Sequence, residues 1–126
     1  GLGTRLRWIG HREPIAPFLQ ALDVFVSTSV YETFGNSVCE AMACGLPVVA
    51  YRGGSVQEVI GDSGYVLENG DVKGLTQAIA RLVDDTSDRA RLGEQGRHRV
   101  ATHFNPEVSF DRLLGIYDRL VPPTRG

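Results

Sequence analysis

Residues 31–50 read YETFGNSVCEAMACGLPVVA, and the fold turns on this stretch. It begins as a loop with one carboxylate, Glu32, followed by the Phe34-Gly35 pair and the small polar residues Asn36 and Ser37. An apolar run of helical character then covers 36–43, with a second carboxylate, Glu40, one turn from its start. Seven residues separate the two glutamates. Gly45 supplies a left-handed stop after the helix. Pro47 is tolerated as the first residue of a strand, and 48–51 continues one that reads as buried. Loop, helix, turn and buried strand make up the repeating unit of a parallel α/β sheet.

The same alternation extends outward. Upstream, RLRWI at 5–9 reads as a short strand ended by Gly10, and 11–14 as a loop. Ile15, Phe18, Leu19 and Leu22 recur at helical spacing over 15–22. Residues 23–28 form the next strand, whose VFV centre is expected to be buried on both faces. Downstream, Ser55-Val56-Gln57-Glu58 is a capping-box pattern that starts a short helix at Val56. Residues 64–67 are a small strand. Asp71 is the expected N-cap of a helix striped by Val72, Leu75, Ile79, Leu82 and Val83. Ser87 is the expected cap of another, with Leu92, Val100 and Phe104 on its inner face. Asn105-Pro106 opens a last helix, whose buried side is expected to hold Val108, Leu113, Leu114, Tyr117 and Leu120. Trp8, Tyr31 and Tyr65 are expected to pack. The fold class is therefore α/β, a Rossmann-like parallel sheet with flanking helices over residues 1–121, with 122–126 as a loose tail. Strand order does not follow from the sequence.

Bulk properties narrow the function classes. The chain has 126 residues, 42% hydrophobic and 22% charged, enough for one packed domain. Its net charge of −2 gives no basic field for nucleic acid. No apolar run is long enough to span a bilayer, and no signal-peptide pattern is read. Cys39 and Cys44 are five residues apart on one predicted helix, on different faces, which disfavours a disulfide between them. No His/Cys spacing suits zinc. Two reduced thiols and a cytoplasmic location are expected. The first residue is Gly1 rather than Met, and the chain is expected to be the C-terminal piece of something longer.

In an open parallel sheet the loops after the strands share one edge, where ligands bind. Three such loops are expected: 10–14 with His11 and Arg12, 29–35 with Glu32 and Phe34-Gly35, and 52–55 with Gly53-Gly54. The first turn of the helix at Asn36 leaves free amides and a positive dipole end, which suits a phosphate or diphosphate. Amides of Asn36, Ser37 and Val38 are the expected donors. Glu40 lies one turn on, and its carboxylate leans back toward the same ligand. It would sit badly beside a phosphate but well on a ribose diol. Glu32, on the other side of the phosphates, suits sugar hydroxyls. Taken singly, either glutamate is more simply an ordinary surface charge, and Gly53-Gly54 an ordinary turn. The three loops considered together favour a site. Ser29 and Ser37 have no His/Asp partners in view for nucleophilic catalysis.

The run Glu32-Thr-Phe-Gly-Asn-Ser-Val-Cys-Glu40-Ala-Met-Ala-Cys-Gly-Leu-Pro-Val-Val-Ala50 resembles the signature of group 1, or family 4, glycosyltransferases. The Gly53-Gly54 … Glu58 segment and the strand at Asp23 resemble that family too, and the likeness covers about 5–117. The resemblance implies a GT-B fold of two Rossmann-like domains, with this chain as part of the C-terminal, donor-binding one and the N-terminal acceptor domain absent. It implies a retaining transfer of a glycosyl group from a UDP- or GDP-linked sugar to an acceptor hydroxyl, with no metal and no cofactor. By the same resemblance Glu32 is the catalytic-site carboxylate at the donor sugar, and Glu40 binds the ribose. Phe34, Gly35, Asn36, Ser37 and Val38 hold sugar and diphosphate through backbone amides. His11 and Arg12 lie near the base, and Gly53 and Gly54 complete the donor site. The partners implied are a nucleotide sugar and an acceptor held by the absent domain, with no nucleic acid and with peripheral membrane contact left open. Thr33 stands where the family often has glycine, and Thr28-Ser29 where Pro-Ser is common. The family's basic pair for the diphosphate has no match here, and the isolated chain is expected to be inactive. A sugar-nucleotide epimerase or phosphorylase on the same fold, and a non-catalytic flavodoxin-like module, are the competing readings. No G-x-G-x-x-G opens a helix after a strand, which disfavours a dehydrogenase.

Overall fold

The computed structural model describes residues 3–120. The elements follow in the order α1 (Ala16–Leu19), β1 (Phe25–Ser27), α2 (Asn36–Ala43), β2 (Val48–Tyr51), α3 (Val56–Ile60), β3 (Gly64–Leu67), α4 (Val72–Asp84), α5 (Thr86–His103) and α6 (Pro106–Leu120). The three strands form one parallel sheet in the order β1-β2-β3. Phe25 pairs with Val48, and Val48 with Gly64, so the strands start level and end along one edge.

The middle strand explains the layering. All four residues of β2 are buried, and successive side chains point to opposite faces. Val48 and Ala50 join Val38, Ala41 and Met42 of α2 and Val56, Val59 and Ile60 of α3 in one core. Val49 faces the other way, into a second core with Ala78 and Leu82 of α4 and Leu92 of α5. Helices therefore cover both faces, as a strand buried on two sides requires. Met42, Ile60, Leu82, Val48 and Val49 are fully enclosed, and each contributes about 1.5–3 kcal/mol by leaving water.

Away from β2 the structure differs from expectation in several places. Residues 6–10 form no strand, and a short 3₁₀ turn, Gly3–Arg5, precedes them. A strand exists only through a neighbour that accepts its ladder, and β1 pairs only with β2. Trp8 is 93% exposed and Tyr31 80%, so neither packs. The helix expected over 15–22 shrinks to four residues with only Leu19 buried. The strand expected over 23–28 shrinks to three, with Val26 exposed on the open side. The stripe on α4 is narrower than its period suggested: Leu82 and Ala78 are buried, but Val72 and Val83 face water. On α6, Leu113, Leu114, Tyr117 and Leu120 are exposed, and only Val108 of the expected face is half-buried.

The caps show a competition among local acceptors. Asp71 caps α4 by accepting from Gly74 N–H at 2.8 Å, as expected. Asn105 Oδ1 accepts from Glu107 N–H at the start of α6. Ser87 does not cap α5. Asp85, two residues earlier, accepts from Ser87 N–H, Asp88 N–H and the Ser87 hydroxyl. A carboxylate accepts all three bonds at once, which a hydroxyl cannot. Ser55 makes no cap bond to α3 either; its hydroxyl is engaged elsewhere. The expected tail, 122–126, lies outside the described residues.

Candidate functional site

The C-terminal ends of β1, β2 and β3 open onto loops 28–35, 52–55 and 68–71. At the centre of this edge is the start of α2. Its N-cap is Gly35, at φ 84° and ψ 50°, a left-handed conformation that a side chain resists. Gly35 has no side-chain cap to offer, no acidic residue lies in the first turn, and Cys39 N–H makes the first backbone bond, to Gly35 C=O. The amides of Asn36, Ser37 and Val38 thus form an uncapped helix start, where partial positive charge collects. Asn36 and Ser37 are exposed, whereas the Val38 side chain is fully buried in the core, leaving only its amide for a ligand.

Glu40 lies one turn along α2 and is exposed. It lines a cavity of about 330 Å³ with Gly10, His11, Arg12, Glu13 and Ile15. The loop with His11 and Arg12 therefore meets Glu40, although no strand precedes that loop. Glu13 is a member that sequence reasoning missed. Its Oε1 lies 3.4 Å from His11 Nε2, with both side chains open to solvent. No spacing signal marked it, because the pairing depends on how the loop turns. Beside Glu40, the Cys39 thiol is pushed above its ordinary pKa, first by burial and then by the Glu40 charge. It is held as a neutral thiol rather than a reactive thiolate.

Glu32 lies on the loop that enters α2, is half-buried, and is not among the residues that line the Glu40 cavity. Its backbone rests directly on Gly53-Gly54. A Cβ on Gly54, which has φ 53°, would fall 1.6 Å from Glu32 C=O, and one on Gly53 would fall 2.7 Å from Val30 C=O. The paired glycines are thus the seat on which the Glu32 loop lies. The Ser55 hydroxyl donates to Thr33 C=O, which ties the same loop to the start of α3. Ser55 is a second member of the site's framework that sequence reasoning placed differently, as a helix cap. Phe34 is 40% exposed. Arg52 pairs with Glu68 at 3.0 Å.

The structure therefore assembles two walls next to one helix start: Glu40 with 10–13, and Glu32 with 53–55. A wider groove of about 500 Å³ between Asp62-Ser63 and α5 lies at the opposite edge, because Asp62 and Ser63 precede β3. Among the described residues no group of three or more His, Cys, Asp or Glu side chains is arranged to hold a metal ion. No helix among them is long and apolar enough to cross a membrane.

Comparison with known proteins bears on this edge. The family model for glycosyl transferases of group 1 matches residues 1–85. A lipopolysaccharide core biosynthesis glycosyltransferase of Rhizobium meliloti is 37% identical over 116 residues, which cover 90% of this chain and 34% of that protein. The O-antigen chain mannosyltransferase B of Escherichia coli is 38% identical, over 94% of this chain and 32% of that one. Among solved structures, HepE from Anabaena in complex with UDP superposes with a TM-score of 0.86 at 27% identity, over 96% of this chain and 34% of that one. The chain thus spans about a third of the length of the relatives it matches.

Proposed function

The chain belongs to the glycosyl transferases of group 1, and we propose that it supplies part of the donor site of an enzyme that moves a glycosyl group from a nucleoside-diphosphate sugar to an acceptor hydroxyl with retained configuration. The observation that carries this reading is the position of Glu40. It lines one cavity with His11 and Arg12, one turn below an uncapped helix start. A ribose diol on Glu40 puts its diphosphate toward the free amides of Asn36, Ser37 and Val38, and the base toward His11 and Arg12. The sugar then falls on the side of Glu32. Charge developing on the leaving diphosphate faces the N-terminus of α2, which stabilises it without reorganisation. The reading assigns no role to a metal or cofactor. Its donor is UDP- or GDP-linked, its acceptor is held by a further N-terminal domain, and this chain alone is inactive. The location is cytoplasmic, with any membrane contact made through the rest of the enzyme. Relatives that share this fold support the nucleotide part: Anabaena HepE has been solved with UDP and with UDP-glucose.

Thermal melts against millimolar UDP, GDP and ADP, with their sugar conjugates, test it. A ligand at about 100 times its dissociation constant adds about 2.7 kcal/mol. A base-selective shift that disappears in Glu40→Ala is expected. A shift that survives Glu40→Ala unchanged would reject the ribose role. For Glu32, the expected outcome of Glu32→Gln in the full-length enzyme is a large loss of turnover with near-normal binding of the bare nucleotide. Equal damage to both would reject the division between the two glutamates.

A further inference from the structure

The loop between Glu32 and α2 is supported from a second direction that the donor reading does not use. The Phe34 ring meets Phe104 edge-on, with centroids 5.6 Å apart and planes at 75°. Phe104 is the C-cap of α5, its N–H bonded to Val100 C=O at 3.0 Å, and it packs half-buried against the α2–α3 core. The Arg99 guanidinium lies over its ring at 6.0 Å. Arg99 is itself fixed: Nε donates to Val59 C=O at 2.9 Å and Nη2 to Glu58 C=O at 2.7 Å, at the end of α3. The start of the same helix carries Ser55, whose hydroxyl holds Thr33 C=O. Both ends of α3 and the end of α5 therefore brace the four residues that carry Glu32 into Gly35.

We propose that Phe104, braced by Arg99, is a positioning residue for the Glu32 loop, setting the backbone between Glu32 and the N-terminus of α2. Burial is not the main purpose of the pair, since Phe34 remains 40% exposed. An edge-to-face pair acts through geometry, and its loss changes an equilibrium by roughly two- to tenfold. The consequence for the donor rests on the reading given under Proposed function. A loosened loop disturbs Glu32 and the sugar end, and leaves Glu40 and residues 10–13, on the other wall, in place.

The test compares wild type, Phe104→Ala, Phe104→Leu and Phe104→Tyr in the full-length protein. Amide hydrogen exchange at Cys39, whose N–H is bonded to Gly35 C=O at 3.0 Å, and across β2 is one readout. Affinity for the paired probes UDP and UDP-glucose, and GDP and GDP-mannose, is the other. In Phe104→Ala and Phe104→Leu the expected result is exchange faster by about threefold or more at Cys39 with β2 unchanged. Affinity for the sugar conjugate falls by a similar factor while the bare diphosphate holds within about twofold. Phe104→Tyr, which keeps the ring edge, restores both. Unchanged exchange at Cys39 in Phe104→Leu overturns the proposal. So does uniform acceleration through β2 with equal weakening of diphosphate and conjugate, which marks a general loss of stability. If the wild type binds none of the four probes, the donor reading and the sugar effect fall together, and the exchange result still decides whether Phe104 holds the loop.

Discussion

Two acidic side chains on helices show opposite states of completion. Asp88, in the first turn of α5, is 4% exposed. It accepts from the Tyr65 hydroxyl at 2.7 Å, from Arg81 Nε at 3.1 Å and from Arg91 Nη2. Glu40, on α2, is exposed, and no hydrogen bond or ion pair within the described residues engages its carboxylate. It faces a cavity instead. A carboxylate whose bonds close inside the fold works for the fold, because removing it strands its partners. A carboxylate with open lone pairs at a strand-end edge is available to a ligand. Glu32 lies between the two, its side chain half-buried and its backbone locked onto Gly53-Gly54.

The intermediate case gives the largest expected effect. Gly54→Ala puts a Cβ against Glu32 C=O at a positive φ, so the loop must move and the backbone is strained. The expected loss of unfolding free energy is roughly 3 kcal/mol, at the upper end for single substitutions, measured by urea denaturation. Sugar-conjugate binding should fall with it. A stable variant with normal binding would show that the seam is not a rigid seat.

Asp88→Ala comes next. Arg81 and Arg91 are more than half exposed and still reach water, so the cost is below that of a fully buried pair, about 2–3 kcal/mol. Nucleotide affinity of the folded protein should not change. Glu40→Ala should do the reverse, with stability within about 0.5 kcal/mol and nucleotide affinity down at least about tenfold by calorimetry, from one or two lost charged hydrogen bonds. If Asp88→Ala weakened binding or Glu40→Ala weakened the fold, the contrast between closed and open carboxylates would break.

The same contrast explains what was legible in the sequence. The stretch 36–67 was read almost residue for residue, because α2, β2 and β3 obey local signals, which burial on both faces reinforces in β2. Legibility failed where an element depends on something beyond its own pattern. RLRWI has strand composition but no ladder. The apolar face of α6 has helical period but meets little. Ser55 and Ser87 both looked like caps, but the Ser55 hydroxyl is taken by Thr33 C=O, a partner that only the fold supplies, and Ser87 yields to the neighbouring Asp85 carboxylate. Asp88 was invisible as a buried centre because its partners come from β3 and α4. In the candidate site, the two glutamates and the glycine pair were visible as motif spacing. Their distribution onto two walls, and the bracing by Ser55 and Phe104, required three dimensions.

Acid provides the finest test of the contrast. Asp88 is held below the ordinary carboxylate value of 3.8, first by the Tyr65 hydroxyl, then by the Arg91 hydrogen bond and the charges of Arg91 and Arg81. Asp85 is lowered too, first by the Ser87 hydroxyl and then by the Asp88 amide. A group whose folded pKa is depressed contributes stability that is present above the unfolded value and lost as pH falls through the folded one. Both carboxylates therefore act in the same direction. The stability they add is present from neutral pH down to about pH 4 and declines below that as first the unfolded and then the folded forms take up protons. Tyr65 is shifted upward by burial and by Asp88, so it stays a neutral donor throughout this window. In Asp88→Asn the slope of stability against pH below about 4 should flatten relative to wild type, because one of the two depressed carboxylates no longer titrates. Urea denaturation at pH 3, 4 and 6 measures the slope, and an unchanged slope in Asp88→Asn would mean that the acid sensitivity comes from net charge rather than from the closed cluster at the start of α5.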